Sequence, residues 1–209
     1  MAERIGILGG SFNPVHTGHL ILAQDALEQF GLSRVVFVPA AQPPHKPSLQ
    51  LAPAADRMAM LRLALGDDAR LAVSEDEIQR GGVSFTVDTL RRLREQLPDA
   101  ALFFIIGGDT LRELHTWKDI YAVLELATII TVARPGFSVD GLDEEALRLR
   151  DPWPRRLAAN VATGHLVEIS ATDIRNRVSR GLSIRYLVPQ SVAGYIAAHG
   201  LYRNQETTR

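Results

Sequence analysis

A chain of 209 residues with 46% hydrophobic and 22% charged side chains has the composition of an ordinary globular protein, long enough to bury roughly 70% of the surface its unfolded form exposes. It contains no cysteine, which excludes a disulfide framework, thiolate metal sites and cysteine nucleophiles. With 23 basic against 24 acidic residues and a net charge of −1, it does not read as a nucleic-acid or membrane binder, and the lack of a spanning apolar run or a leader pattern points to a cytoplasmic protein.

Residues 4–9 form a short apolar run of interior-strand type. Residues 20–30 follow as a helix with Leu20, Ala23, Leu27 and Phe30 on one face and Gly31 as its stop. Residues 35–38, β-branched and aromatic, give a second strand, and five prolines make 39–53 a stiff loop. A helix over 54–65 and a strand over 70–73 come next; the charged, glycine-ended stretch 74–82 reads as a loop or edge hairpin. Helical spacing of Val87, Leu90, Leu93 and Leu97 predicts a helix over 85–97. Residues 102–106 are the clearest buried strand and run into Gly107-Gly108-Asp109. A helix over 117–126 and a strand over 128–132 precede Arg134-Pro135-Gly136. The stretch 137–164 shows little periodicity beyond a helix near 142–150 and a Pro-Trp-Pro break. A last strand over 166–169 and helices over 171–180 and 191–199 complete the chain. This alternation predicts an α/β fold: a doubly wound parallel sheet with additional C-terminal helices, in one domain over 1–209 whose part from about 165 onward is helical. In such sheets ligands sit beyond the carboxyl ends of the strands, where strand order reverses.

The first such end is Gly9-Gly10-Ser11-Phe12-Asn13-Pro14-Val15-His16-Thr17-Gly18-His19. Paired glycines let backbone N–H groups approach a ligand closely, and the helix start beyond them offers free donors and a positive dipole end, which suits phosphate. His16 and His19 are spaced to face one side of that start and to donate to phosphate oxygens. Neither G-x-x-x-x-G-K-[ST] nor G-x-G-x-x-G is present, and no third ligand is spaced for zinc.

With His16-Thr17-Gly18-His19 as signature, the chain resembles the HxGH nucleotidyltransferase superfamily, and the preceding loop resembles that of the bacterial nicotinate-mononucleotide adenylyltransferases. The resemblance runs from the first strand to Gly200-Leu201-Tyr202-Arg203 and is weakest over 137–164. It implies a Rossmann-like nucleotidyltransferase fold in which His16 and His19 bind the triphosphate and stabilise the reacting α-phosphate, while Gly9, Gly10, Ser11 and Phe12 line the ATP site.

Ser170-Ala171-Thr172-Asp173-Ile174-Arg175 reads locally as a capping box, Ser170 with Asp173, opening a helix that carries Arg175 near its donors. It matches the superfamily's second motif, S-[ST]-T-x-[IL]-R, which implies that Ser170, Thr172 and Arg175 hold the β- and γ-phosphates; Ala171 stands where a second hydroxyl is usual. The same resemblance assigns His45 and Lys46, in Pro43-Pro44-His45-Lys46-Pro47, to a loop closing near the substrates. It assigns Ser84-Phe85-Thr86 to the pyridine carboxylate, Gly107 and Asp109 to the nucleotide, Thr116-Trp117 to stacking on the nicotinate ring, and Arg134 to the adenine side. Pro39-Ala40-Ala41 departs from relatives that have asparagine there.

The activity implied is transfer of AMP from ATP to nicotinate mononucleotide, giving nicotinate adenine dinucleotide and pyrophosphate. A Mg²⁺ ion held mainly by phosphates and water would assist. Partners are those two substrates, without nucleic acid or membrane, in a monomer or small homo-oligomer. Two other readings stay open at this stage: transfer to pantetheine phosphate or a polyol phosphate, and a nucleotide-sensing module without turnover.

Overall fold

The computed structural model describes residues 2–44, 51–133, 141–165 and 167–203. Six strands form one sheet: β1 (Arg4–Gly10), β2 (Arg34–Pro39), β3 (Leu71–Val73), β4 (Ala101–Gly107), β5 (Thr128–Val132) and β6 (Val161–Ala162). Their order is β3-β2-β1-β4-β5-β6, and every pairing is parallel. The chain starts at the centre, moves outward through β2 and β3, then crosses back to lay β4 on the other side of β1. The order therefore reverses between β1 and β4, as the doubly wound expectation requires.

Alternation along the central strands divides the core. Phe37, Ile105 and Ile130 face one side, against α1 (Thr17–Gln29), α2 (Ala54–Leu65), α9 (Ala171–Ser179) and α10 (Gln190–Ala198). Ile5, Ile7, Phe104 and Ile129 face the other, against α4 (Thr86–Gln96), α6 (Ile120–Leu126) and α8 (Trp153–Ala159). Burial on both faces is why these strands read as unbroken apolar runs. Among the described residues, no helix is long and apolar enough to cross a membrane.

Five elements differ from the sequence expectation. No strand forms over the described residues 167–169; the sixth strand is Val161–Ala162, paired with Thr131 and Val132. It stops at 162 because helix side chains take over the next backbone groups. Gln29 Oε1 accepts from Thr163 N–H and Gln29 Nε2 donates to Thr163 O, while Asp25 accepts from His165 N–H. Residues 76–80 are not hairpin but the helix α3 (Asp76–Arg80), with acids in its first turn and Arg80 in its last, matching the dipole. The helix expected near 142–150 is one turn, α7 (Glu144–Leu147), capped by Asp143 and ended by Arg148 at φ +51. The Pro-Trp-Pro segment opens α8 rather than breaking a helix, because proline fits the first turn, where its missing N–H has no partner to lose. Residues 117–119 also precede rather than begin the helix α6.

Candidate active site

The loop after β1 ends in an unusual helix cap. His16 is the extended N-cap of α1; its N–H donates to Nδ1 of His19 at 3.2 Å, and the N–H of His19 donates back to His16 O at 2.9 Å. A nitrogen that accepts a backbone N–H carries no proton, so the proton of neutral His19 sits on Nε2, leaving that atom as a donor. The rings stack at 3.7 Å between centroids with planes 28° apart. This packing requires glycine between them: a Cβ on Gly18 would lie 3.1 Å from His16 Nδ1 and 3.3 Å from Cε1. Phe12, at 1% exposure and φ +44, turns its ring inward, edge-on to His19 at 5.0 Å and against Phe37. Any ligand contact by Phe12 must therefore come from its backbone.

A cavity of about 500 Å³ opens at the strand ends around the switch point. Gly9, Gly10, Ser11 and His19 line it from the first loop, and Gly107 and Asp109 from the turn into α5 (Gly108–Leu111). Ser84, Phe85, Thr86 and Trp117 line its far end. Thr86 is the first residue of α4, so the helix start faces the same space; the N-cap is Phe85, not Ser84. Ser84 instead accepts from Ala41 N–H at 3.0 Å and its N–H donates to Gln42 O, tying this segment to the loop after β2. Trp117 stands edge-on to Phe104, 5.8 Å between centroids, which leaves its ring as part of the wall. His16 is not on the wall; it is 6% exposed and stacks on the ring of His19.

The second motif meets the first. Ser170 Oγ accepts from Thr172 N–H at 3.2 Å, so the cap is closed at Thr172 rather than through Asp173. Arg175 donates to Asn13 O at 2.9 Å and to Thr172 Oγ1 at 3.2 Å. Ile169, just before the cap, lies 3.7 Å from where a Gly18 Cβ would be, so the starts of α1 and α9 are neighbours. Asn13 Oδ1 also accepts from Tyr202 OH and Ala52 N–H, at 2.9 and 3.0 Å. Burial raises the Tyr202 phenol well above its ordinary range, against the opposing pull of Arg175 and Arg57. His45, Lys46 and Arg134 lie outside the described residues.

Three contributors were missed in the sequence. Arg57 sits in an apolar helix yet is 1% exposed. Lys118 lines the far end of the cavity, its Nζ 4.6 Å from the Phe85 ring centroid and 3.1 Å from Asp88 Oδ2. Glu77, on α3, is buried in the same wall and accepts from Thr89 Oγ1. Only Lys118 carried a signal, its position beside Trp117; the other two depend on tertiary placement.

A doubly wound sheet with a histidine-capped helix and an arginine-bearing helix start at its switch point defines a nucleotidyltransferase. Residues 7–177 match the family model described as cytidylyltransferase-like. A protein of Opitutus terrae called a probable nicotinate-nucleotide adenylyltransferase is 47% identical over 201 residues, covering 96% of this chain and 98% of that one. One of Thermus thermophilus with the same description is 45% identical over 200 residues, covering 96% and 100%. The fold is also similar to that of the Plasmodium falciparum nicotinic acid mononucleotide adenylyltransferase complexed with NaAD, with a TM-score of 0.74 at 17% identity over 96% and 97% of the two chains. The chain belongs to the cytidylyltransferase-like family and, within it, to the nicotinate-nucleotide adenylyltransferases.

Proposed function

We propose that the protein transfers AMP from ATP to nicotinate mononucleotide, releasing pyrophosphate and forming nicotinate adenine dinucleotide. The observation that carries this reading is the cavity in which the His19 donor and the Trp117 wall share one space, with Arg175 bonded to the same first loop. A phosphate oxygen of the mononucleotide attacks the α-phosphorus of ATP; the bond to the β-phosphate oxygen breaks and pyrophosphate leaves. The attacking oxygen is already anionic near neutral pH, so no protein base is needed. The work is to hold two polyanions in line and stabilise charge.

His19 Nε2–H is the donor for the α-phosphate, held in place by His16. Gly9, Gly10, Ser11 and the Phe12 backbone cradle the nucleotide, with Gly107 and Asp109 at its ribose and Arg134 toward adenine. Ser170, Thr172 and Arg175 hold the β- and γ-phosphates, and Lys46, with His45, closes over the substrates. Trp117 stacks on the pyridine ring. Ser84, Phe85 and Thr86 present the start of α4 to its carboxylate, and the Lys118 ammonium adds positive charge at that end.

Among the described residues no three His, Asp or Glu side chains come together as a metal cage, while Asp109 offers a carboxylate on the wall. A Mg²⁺ would accordingly be held chiefly by phosphates and water, and the ion would neutralise phosphate charge. The protein works as a monomer or small homo-oligomer in the cytoplasm, without nucleic-acid or membrane partners. The test is pyrophosphate release from ATP with a panel of phosphorylated acceptors. Nicotinate mononucleotide should give the highest kcat/KM; release with pantetheine phosphate or a polyol phosphate instead, or ATP binding without turnover, would overturn the reading.

A further inference from the structure

Arg57 is among the largest side chains to be wholly buried in this protein, and it comes from α2, where Met58, Met60 and Leu61 are core. Burying a guanidinium is costly unless its donors are met. Its hydrogen bonds go to backbone carbonyls: Nη1 donates to Ser11 O and Ala40 O at 2.8 Å each, Nε to Ala52 O at 3.1 Å and Nη2 to Ala41 O at 3.5 Å. Burial pulls its pKa down, opposed by the Tyr202 phenol, yet a guanidinium stays protonated in proteins. So one cation, itself off the cavity wall, holds four points on the loops after β1 and β2.

Two of those points, Ser11 and Ala40, line the cavity. The Ser11–Phe12 and Ala40–Ala41 peptides are trans, so each N–H points opposite the carbonyl that Arg57 holds. For the second peptide the consequence is visible: Ala41 N–H donates to Ser84 Oγ, a residue of the cavity wall. For the first, the corresponding donor is Phe12 N–H, at a left-handed residue of the kind that builds anion-binding nests.

We propose that Arg57 is a positioning residue, which by holding the Ser11 and Ala40 carbonyls from behind turns Phe12 N–H toward a phosphate in the cavity and fixes Ser84 beside the substrate. The inference rests on the functional reading above in one respect, that a nucleotide phosphate occupies the first loop. Lysine keeps the charge but not the fork of donors, so it cannot hold the carbonyls together.

The experiment pairs Arg57→Lys with the parent enzyme. Turnover should fall roughly 10²-fold in a variant that still unfolds cooperatively, and the mononucleotide KM should rise as well, because Ser84 at the pyridine end loses the peptide that fixes it. In the parent, the Phe12 amide resonance should shift on addition of ATP. A folded Arg57→Lys enzyme with kcat within about threefold of the parent would overturn the proposal. So would a Phe12 amide unmoved at saturating ATP, and this decides the matter even should the variant fail to fold. If the parent enzyme used a different acceptor, the same loss in Arg57→Lys with that acceptor would separate this inference from the functional reading.

Discussion

Arg175 donates to the backbone carbonyl of Asn13 at 2.9 Å across 162 residues of chain. That bond joins the helix start of the second motif to the loop of the first, and both sit on one side of the reversal in strand order. Two helix starts far apart in sequence are thereby set at a fixed distance, as a triphosphate lying across them would need.

Replacing Arg175 removes both this bond and the one to Thr172 Oγ1. Arg175→Ala should lower kcat/KM for ATP roughly 10²-fold, the scale for losing a charge-assisted phosphate contact in a closed site. Arg175→Lys should recover part of the charge and little of the geometry. Steady-state rates with ATP varied and mononucleotide saturating make the check; equal losses in both variants would point to the fork rather than the charge as the essential feature.

His19 holds its Nε2 proton because Nδ1 is occupied by His16 N–H. His19→Ala should lower turnover by roughly 10² or more, since a transition-state donor is lost. A glutamine amide places N–H near the former Nε2, an asparagine amide near the former Nδ1, so His19→Gln should keep more activity than His19→Asn. Rates for His19→Ala within tenfold of the parent would remove His19 from the chemistry.

The sheet was legible because central parallel strands are apolar on both faces: residues 102–106 and 128–132 announce themselves. The helix starts at His16 and Ser170 were legible because their geometry is carried by short contiguous segments. What was not legible depends on distant partners. Val161–Ala162 is too short for periodicity, and its end is set by Gln29 and Asp25. The helix of residues 76–80 has charged residues where a pattern would show. Arg57 looks like the polar face of an amphipathic helix until the carbonyls of Ser11 and Ala40 close on it.

Gly164 tests whether the segment leading to the second motif is held by α1. A Cβ there would collide with the Asp25 carboxylate, which also binds the His165 ring and N–H. Gly164→Ala should cost roughly 1–3 kcal/mol, as overpacking does, and lower Tm by several degrees. In an Asp25→Ala background the same change should cost little, because the colliding group is gone. A thermal-unfolding double-mutant cycle reads this directly; additive losses would show that Gly164 and Asp25 are not coupled.

Trp117 separates binding from packing. Trp117 is part of the cavity wall, and its ring stands at 88° to that of Phe104, so the two do not stack on each other. Stacking of an electron-poor ring on an indole contributes about 1 kcal/mol beyond the area buried, so Trp117→Ala should raise the mononucleotide KM roughly tenfold or more. The KM for ATP should stay near the parent value, since His19 lines the cavity from the first loop and Arg175 is bonded to that loop rather than to the Trp117 segment. Trp117→Phe keeps a ring face and should fall between the two. The same series run with the amide mononucleotide isolates the ring from its substituent: a loss through stacking should be equal for both, whereas a loss through Thr86 or Lys118 should fall on the acid alone. A folded Trp117→Ala enzyme with an unchanged mononucleotide KM would instead assign the indole to holding Phe104 in the core.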